Sequence, residues 1–216
     1  DIDAAVEGLM AAKFRNGGQT CVSPNRVFVH GQVHDEFASK LSARVAALKV
    51  GPASDPASQI GPMINDRAVE KIERHVQDAV ARGAKVLAGG RRLSDLGPNY
   101  YAPTVLVNAD ATMACSCEET FGPVVPITRF NSEAEVIAAA NDTPFGLAAY
   151  FYSTDVRRIW RVAEVLETGI VGINEGALAA EAAPFGGVKA SGYGREGSVH
   201  GLDDYLHIKY LCQGQL

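Results

Sequence analysis

No stretch of the sequence holds the roughly 18 to 20 consecutive apolar residues that a membrane-spanning helix needs. The opening residues, DIDAAVEGLM, also lack the basic flank of a secretory signal. The expectation is a cytoplasmic protein with no membrane partner. Cysteine is scarce as well: four among 216 residues are too few for a disulfide scaffold. Cys115 and Cys117 stand one residue apart, unlike a CxxC redox or zinc pair, so reduced thiols are expected. Positive charge is not in excess, since 20 basic residues are interspersed with 25 acidic ones for a net charge of -5. Such a surface offers no field for a phosphate backbone, which argues against nucleic acid. Nor is there a histidine pair suited to a metal. Gly31 and Val33 put a turn between His30 and His34, so the two read as exposed turn residues rather than ligands on one helix face. No internal repeat or low-complexity tract appears. A chain that opens at Asp1, directly in an amphipathic pattern, is expected to be cut from something longer.

Alternating strand and helix patterns fill the rest. Asp3 is placed to cap a first helix running to about Asn16, with Val6, Leu9, Met10, Lys13 and Phe14 on one mostly apolar face. A strand at 25–30, a helix at 34–48, a proline-rich loop at 51–62 and a helix carrying Val69, Ile72, Val76 and Val80 follow. Short apolar runs at 85–88, 104–107 and 124–130 read as strands, as do LAAYFY and GIVGIN, with helical segments near 132–141 and 155–167 between them. This order predicts an α/β fold, a largely parallel sheet flanked by helices. The last apolar stretch, DYLHIKYLC at 204–212, alternates like a strand. It pairs either within its own chain or with a neighbouring subunit. The expected division is a thiol-bearing domain at 1–198 and a C-terminal strand or oligomerisation arm at 199–216.

Two stretches invite a chemical reading. Cys21 follows a helix and a Gly-Gly break in FRNGGQTCVSPN, where a loop can present its sulfur at a surface. Most cysteines are small buried hydrophobes, so position alone does not make it a nucleophile. GYGREG at 192–197 spells GxGxxG, yet PFGGVKAS precedes it and no βαβ unit fits before Leu216. Those glycines read as a tight loop rather than a pyrophosphate cradle.

FRNGGQTC, EETFGPV at 118–124, NDTPFGLAA at 141–149 and PFGGVKASGYGREG at 184–197 occur in this order. Together they resemble the aldehyde dehydrogenase family over the whole chain, in the flavour of its succinate-semialdehyde group, to which YLHIKYLC near the end is also similar. The resemblance implies that Cys21 attacks an aldehyde carbonyl and carries a thiohemiacetal, then a thioester that water hydrolyses to the acid. It implies NAD or NADP as hydride acceptor, with Glu119 at the nicotinamide ribose and Phe121 near the nicotinamide. Arg15, six residues before Cys21, matches the arginine that pairs with the substrate's distal carboxylate, for which a guanidinium fork is suited. Without the resemblance, Glu119 reads as a solvated carboxylate, Phe121 as a core aromatic and Arg15 as a helix-terminal cation.

Two departures bear on specificity and regulation. Ala179 stands where the succinate-semialdehyde group places a serine that hydrogen-bonds the substrate carboxylate, which opens longer or differently anchored aldehydes. Ser23 replaces a second cysteine that some relatives use in a disulfide switch. The family's general base, oxyanion asparagine and cofactor-binding domain are expected to precede Asp1. The isolated chain is therefore expected to fold without dehydrogenase turnover and to hold no cofactor by itself. A homodimer or homotetramer is implied for the full-length form. Two other readings remain: a non-catalytic α/β assembly module, and a dehydrogenase for a non-carboxylated aldehyde.

Overall fold

β1 (Val27–His30), β2 (Lys85–Ala88), β3 (Thr104–Val107) and β4 (Val124–Phe130) make the central sheet of the computed structural model, which describes residues 1–215. Their order is β1-β4-β3-β2. β4 runs parallel to both β1 and β3, while β2 lies antiparallel on β3 with an irregularity between Val86 and Ala88. All of β3 and the first four residues of β4 are buried, as their unbroken apolar runs require of strands covered on both faces.

Helices supply the covers. α1 (Ile2–Phe14) and α2 (His34–Ala46) pack Val6, Leu9, Phe37 and Leu41 onto one face, against Val105, Val107, Val125 and Ile127. α3 (Asp66–Ala81) lays Val69, Ile72 and Val76 on the other, against Leu106 and Val124. β3 shows the two-residue period of a strand: Val105 and Val107 enter one cluster and Leu106 the other. Caps set the helix starts. Asn65 accepts from Ala68 N at 3.0 Å to open α3. Asp1, rather than the expected Asp3, caps α1 by accepting from Ala4 N at 3.0 Å, and Asp3 turns outward to meet Lys40 at 2.7 Å.

Beyond β4 the chain thins. α4 (Ala114–Cys117) precedes β4, and α5 (Glu133–Asn141), β5 (Phe145–Gly146), β6 (Ala148–Phe151), α6 (Val156–Val165), β7 (Ile170–Ile173) and β8 (Val188–Lys189) follow it. β6 and β7 pair in parallel and β5 and β8 antiparallel, so the described strands form three sheets rather than one continuous sheet. α5 buries no residue and α6 only Val162.

Two expectations are corrected. Residues 204–212 form no strand: Val199–Tyr205 wind into a 3-10 helix, Leu206 turns extended, and residues 206–215 join no ladder. Pairing within the chain is thereby overturned, since alternation specifies which side chains would share a face but supplies no hydrogen-bonding edge; pairing with a neighbouring subunit is left as a proposal. Residue 216, the end of the expected arm, lies outside the described residues. His34 is not an exposed turn residue; it is buried at the start of α2, with Nδ1 2.7 Å from Asp35 and 3.0 Å from the Arg129 guanidinium. Among the described residues no helix is long and apolar enough to cross a membrane, and no group of three or more His, Cys, Asp or Glu side chains is placed to hold a metal.

Candidate active site

The sequence FRNGG breaks α1 by backbone conformation. Asn16, Gly17 and Gly18 take φ of 51°, 64° and 79°, a left-handed run that glycine adopts without penalty and asparagine with little. The broken end is laced by Gln19, whose Nε2 donates to Asn16 O at 3.0 Å and whose Oε1 accepts from Ile64 N at 2.9 Å. The chain then makes a turn, with Ser23 N donating to Thr20 O at 3.0 Å. Cys21 stands exposed on it. Cys115, by contrast, is buried, and burial pushes its thiol up.

Two contacts fix this turn from below and from the side. Ser23 Oγ donates to Lys13 O at 3.2 Å, and the Tyr150 hydroxyl on β6 donates to Val22 O at 2.8 Å. Burial pushes the Tyr150 phenol up to about 12, so it stays protonated as a donor. Arg15, at the end of α1, is exposed and has no carboxylate partner among the described residues. It lines a small cleft with Thr20, Val22 and Tyr150, whose far wall is Gly176–Ala179. Cys21 itself does not line the cleft, but both of its neighbours do. The wall is seated through glycines. A Cβ on Gly8 would overlap the Tyr152 hydroxyl, and one on Gly176 would overlap the Gly8 carbonyl.

The EETFG segment lies against the same turn. Gly18 stacks on the Gly122 backbone so closely that a Cβ there would overlap the Gly122 carbonyl. Asn25 ties the two segments together, with Nδ2 donating to Cys115 O at 3.1 Å and Glu118 O at 2.9 Å, and Oδ1 accepting from Thr120 N at 2.9 Å. His75 of α3 is buried beneath, 3.0 Å from Thr120 Oγ1 and 3.2 Å from Glu118. Desolvation holds its ring below the usual histidine range. Arg74 grips Glu118 at 2.7 Å and, with His75, draws that carboxyl down to about 2. Pinned on both sides, Glu119 and Phe121 are left exposed, with Phe121 at φ 53°. The ring is thus a surface aromatic rather than a core one.

Beneath both segments lies Lys13, 1% exposed. Burial pulls its amine down to about 7, against the opposing pull of Glu119 and Cys115. The helical pattern placed Lys13 on the apolar face but gave no sign of its buried charge. Thr20, Asn25, His75 and Tyr150 were also missed, since each acts through contacts to chain distant in sequence. GYGREG forms loop, with Gly192, Gly194 and Gly197 all at positive φ and no helix of the dinucleotide-binding kind after it.

This thiol turn, cleft and EETFG loop sit in a chain that the aldehyde dehydrogenase family model matches over residues 1–211, and the chain belongs to that family. It is 57% identical over all 216 residues to the probable succinate-semialdehyde dehydrogenase [NADP(+)] of Sinorhizobium fredii, covering 44% of that protein. To the glutarate-semialdehyde dehydrogenase of Pseudomonas putida it is 55% identical over 98% of its length, again covering 44% of the relative. The crystal structure of succinate-semialdehyde dehydrogenase from Burkholderia pseudomallei superposes with a TM-score of 0.97 at 56% identity, over 99% of this chain and 44% of that one. The chain thus spans less than half the length of the relatives it matches.

Proposed function

We propose that this chain supplies the thiol-bearing part of an NAD(P)-dependent semialdehyde dehydrogenase that oxidises an acid-bearing aldehyde, succinate semialdehyde foremost, to its carboxylic acid. One observation carries the reading: the only cysteine on the glycine-broken turn, Cys21, is exposed beside a cleft lined by an arginine that has no carboxylate partner among the described residues. The Cys21 sulfur adds to the aldehyde carbon, the carbonyl oxygen takes the charge, and backbone N–H groups of the turn stabilise it. NAD or NADP, when bound, would supply the hydride acceptor for that carbon. Water then releases the acid from the Cys21 thioester. An exposed carboxylate and an exposed aromatic face, Glu119 and Phe121, on one pinned loop suit the ribose hydroxyls and nicotinamide ring, so the residues present fit that end of the cofactor. Arg15 holds the distal carboxylate by its guanidinium fork. Ala179 adds no hydroxyl to the cleft, which leaves room for an aldehyde longer than succinate semialdehyde.

No side chain hydrogen-bonds the Cys21 sulfur among the described residues, so the 216-residue chain alone is expected to take up aldehyde without turnover. A mass-mapped alkylation time course tests the nucleophile: Cys21 should label before Cys115, Cys117 and Cys212, and equal rates would favour a non-catalytic assembly module. Calorimetric titration of NAD and NADP tests cofactor holding, with no binding expected to this chain alone. The exposed Tyr205, Leu206, Ile208, Tyr210 and Leu211 favour one part of that second reading. We infer that this arm serves a homodimeric or homotetrameric contact, and sedimentation of the chain with and without residues 206–216 reads it directly.

A further inference from the structure

The cleft beside Cys21 is apolar apart from three side chains, Arg15, Thr20 and Tyr150. Each has a different hydrogen-bonding account. Tyr150 has one proton and donates it to Val22 O at 2.8 Å, so it can accept a further bond but has none to give. Arg15 keeps its donors for whatever enters, since no carboxylate holds it among the described residues. Thr20 is the anomaly. Its Oγ1 is buried and has no hydrogen-bond partner among the described residues. A buried hydroxyl left unpaired costs the full loss of its hydration, and such atoms are rare unless something absent from the free chain satisfies them.

On the reading of the cleft as an acid-binding site, we infer that Thr20 is a second substrate-binding residue, whose hydroxyl donates to an oxygen of the substrate's terminal carboxylate while Arg15 takes the others. The geometry of the turn supports the assignment. Thr20 immediately precedes the nucleophile, and its carbonyl already accepts from Ser23 N, so backbone and side chain point to separate partners. Ala177 and Ala179 on the opposite wall offer no hydroxyl. Thr20 is therefore the one uncharged side chain lining the cleft with an unpaired donor, and a turn of that side chain has to bring its buried hydroxyl to the ligand. A carboxylate can accept from several donors at once, and a neutral ligand of the same length lacks the charge that makes such a bond strong. The pair Arg15 and Thr20 thus selects acid-bearing over neutral aldehydes, with the hydroxyl sharpening what the guanidinium begins.

Saturation alkylation of Cys21 in the 216-residue chain tests this with two probes of equal length, 4-iodobutyrate and 4-iodobutyramide. Each forms the same carbon–sulfur bond and releases iodide. The wild-type chain should saturate with the acid at lower concentration than with the amide. Thr20→Val should raise half-saturation for the acid about tenfold, as expected for one hydrogen bond to a charged group. It should raise half-saturation for the amide, which accepts only a neutral hydrogen bond, by less than for the acid, and Thr20→Ser should restore tight acid binding. Thr20→Val without effect, alongside an Arg15→Leu variant that weakens the acid, overturns the role of Thr20 and leaves the acid-binding cleft standing. Failure of Thr20→Ser to restore acid binding overturns that role as well. Acid and amide behaving alike in both the wild type and Arg15→Leu overturns the acid-binding reading itself.

Discussion

The part of the molecule up to Ile127 and the part after it are built differently. Before that residue lie two clusters of side chains at 0–8% exposure, one on each face of the four-stranded sheet. After it, Val162 is the one buried apolar side chain among the described residues, and the other buried positions there are Gly146, Gly172, Gly176 and Gly187. Both parts meet at the cleft. The cored part holds Arg15, Thr20 and the Cys21 turn, and the thin part contributes Tyr150 and the Gly176–Ala179 wall. The proposed reactive groups are thus mounted on the cored part, and the wall of the cleft leans against it through the backbone contact of Gly176 with Gly8.

The sharpest test of that asymmetry is to remove side-chain volume from each part. Ile72→Ala should cost about 2–5 kcal/mol, because it opens a cavity between α3 and the sheet. Trp160→Ala, at a site two-thirds exposed, should change stability by about 0.5 kcal/mol or less. Comparable losses in urea unfolding would erase the distinction.

Next in size is the buried charge under the turn. The Lys13 amine sits at about 7 in the folded chain against 10.5 when unfolded, so the unfolded chain binds more protons throughout that window. Stability should therefore rise as pH increases from about 7 to 10.5, by an amount on the order of 1–4 kcal/mol, and Lys13→Met should flatten the rise while stabilising the chain at neutral pH. A wild-type curve without slope there would place the amine in contact with water.

Tyr150 tests the junction of the two parts. Tyr150→Phe leaves the Val22 carbonyl without its donor, for an expected loss of about 1–3 kcal/mol and faster amide hydrogen exchange confined to the Cys21 turn. Exchange that quickens equally across β6 and β7 would point to general loosening instead. The smallest effect belongs to Glu118, whose carboxyl is held at about 2 chiefly by Arg74 and then by His75. Its contribution is present above the unfolded carboxylate range and is lost as pH falls from about 4.5 toward 2. Glu118→Gln should shallow the acid limb of the stability profile, and an unchanged limb would show the exposed pair to be screened.

The cored part was the legible part of the sequence. Runs such as TVLV and VVPI are apolar on both faces and can only be buried strands, and the spacing of Val69, Ile72 and Val76 names the face of α3. The thin part resisted. DYLHIKYLC has the alternation of a strand, but whether it pairs depends on an edge elsewhere, which no local pattern encodes. At the site, Cys21 and Arg15 were visible because glycine punctuation and ordered motifs surround them. Thr20 and Tyr150 were not, since an unpaired hydroxyl and a phenol reaching 128 residues back to Val22 exist only once the chain has folded.

The contact of Gly8 with Gly176 and Tyr152 acts as a gauge block between the halves. Because bare backbone sets the spacing of Gly176 on Gly8, a methyl group at position 176 must lift the wall from α1, whereas one at position 8 must displace the Tyr152 hydroxyl. The gap cannot be widened in small steps there. On the proposed reading, tuning for aldehyde length falls to the rim at 177–179, where residues can be exchanged while the contact of Gly176 on Gly8 stays in place.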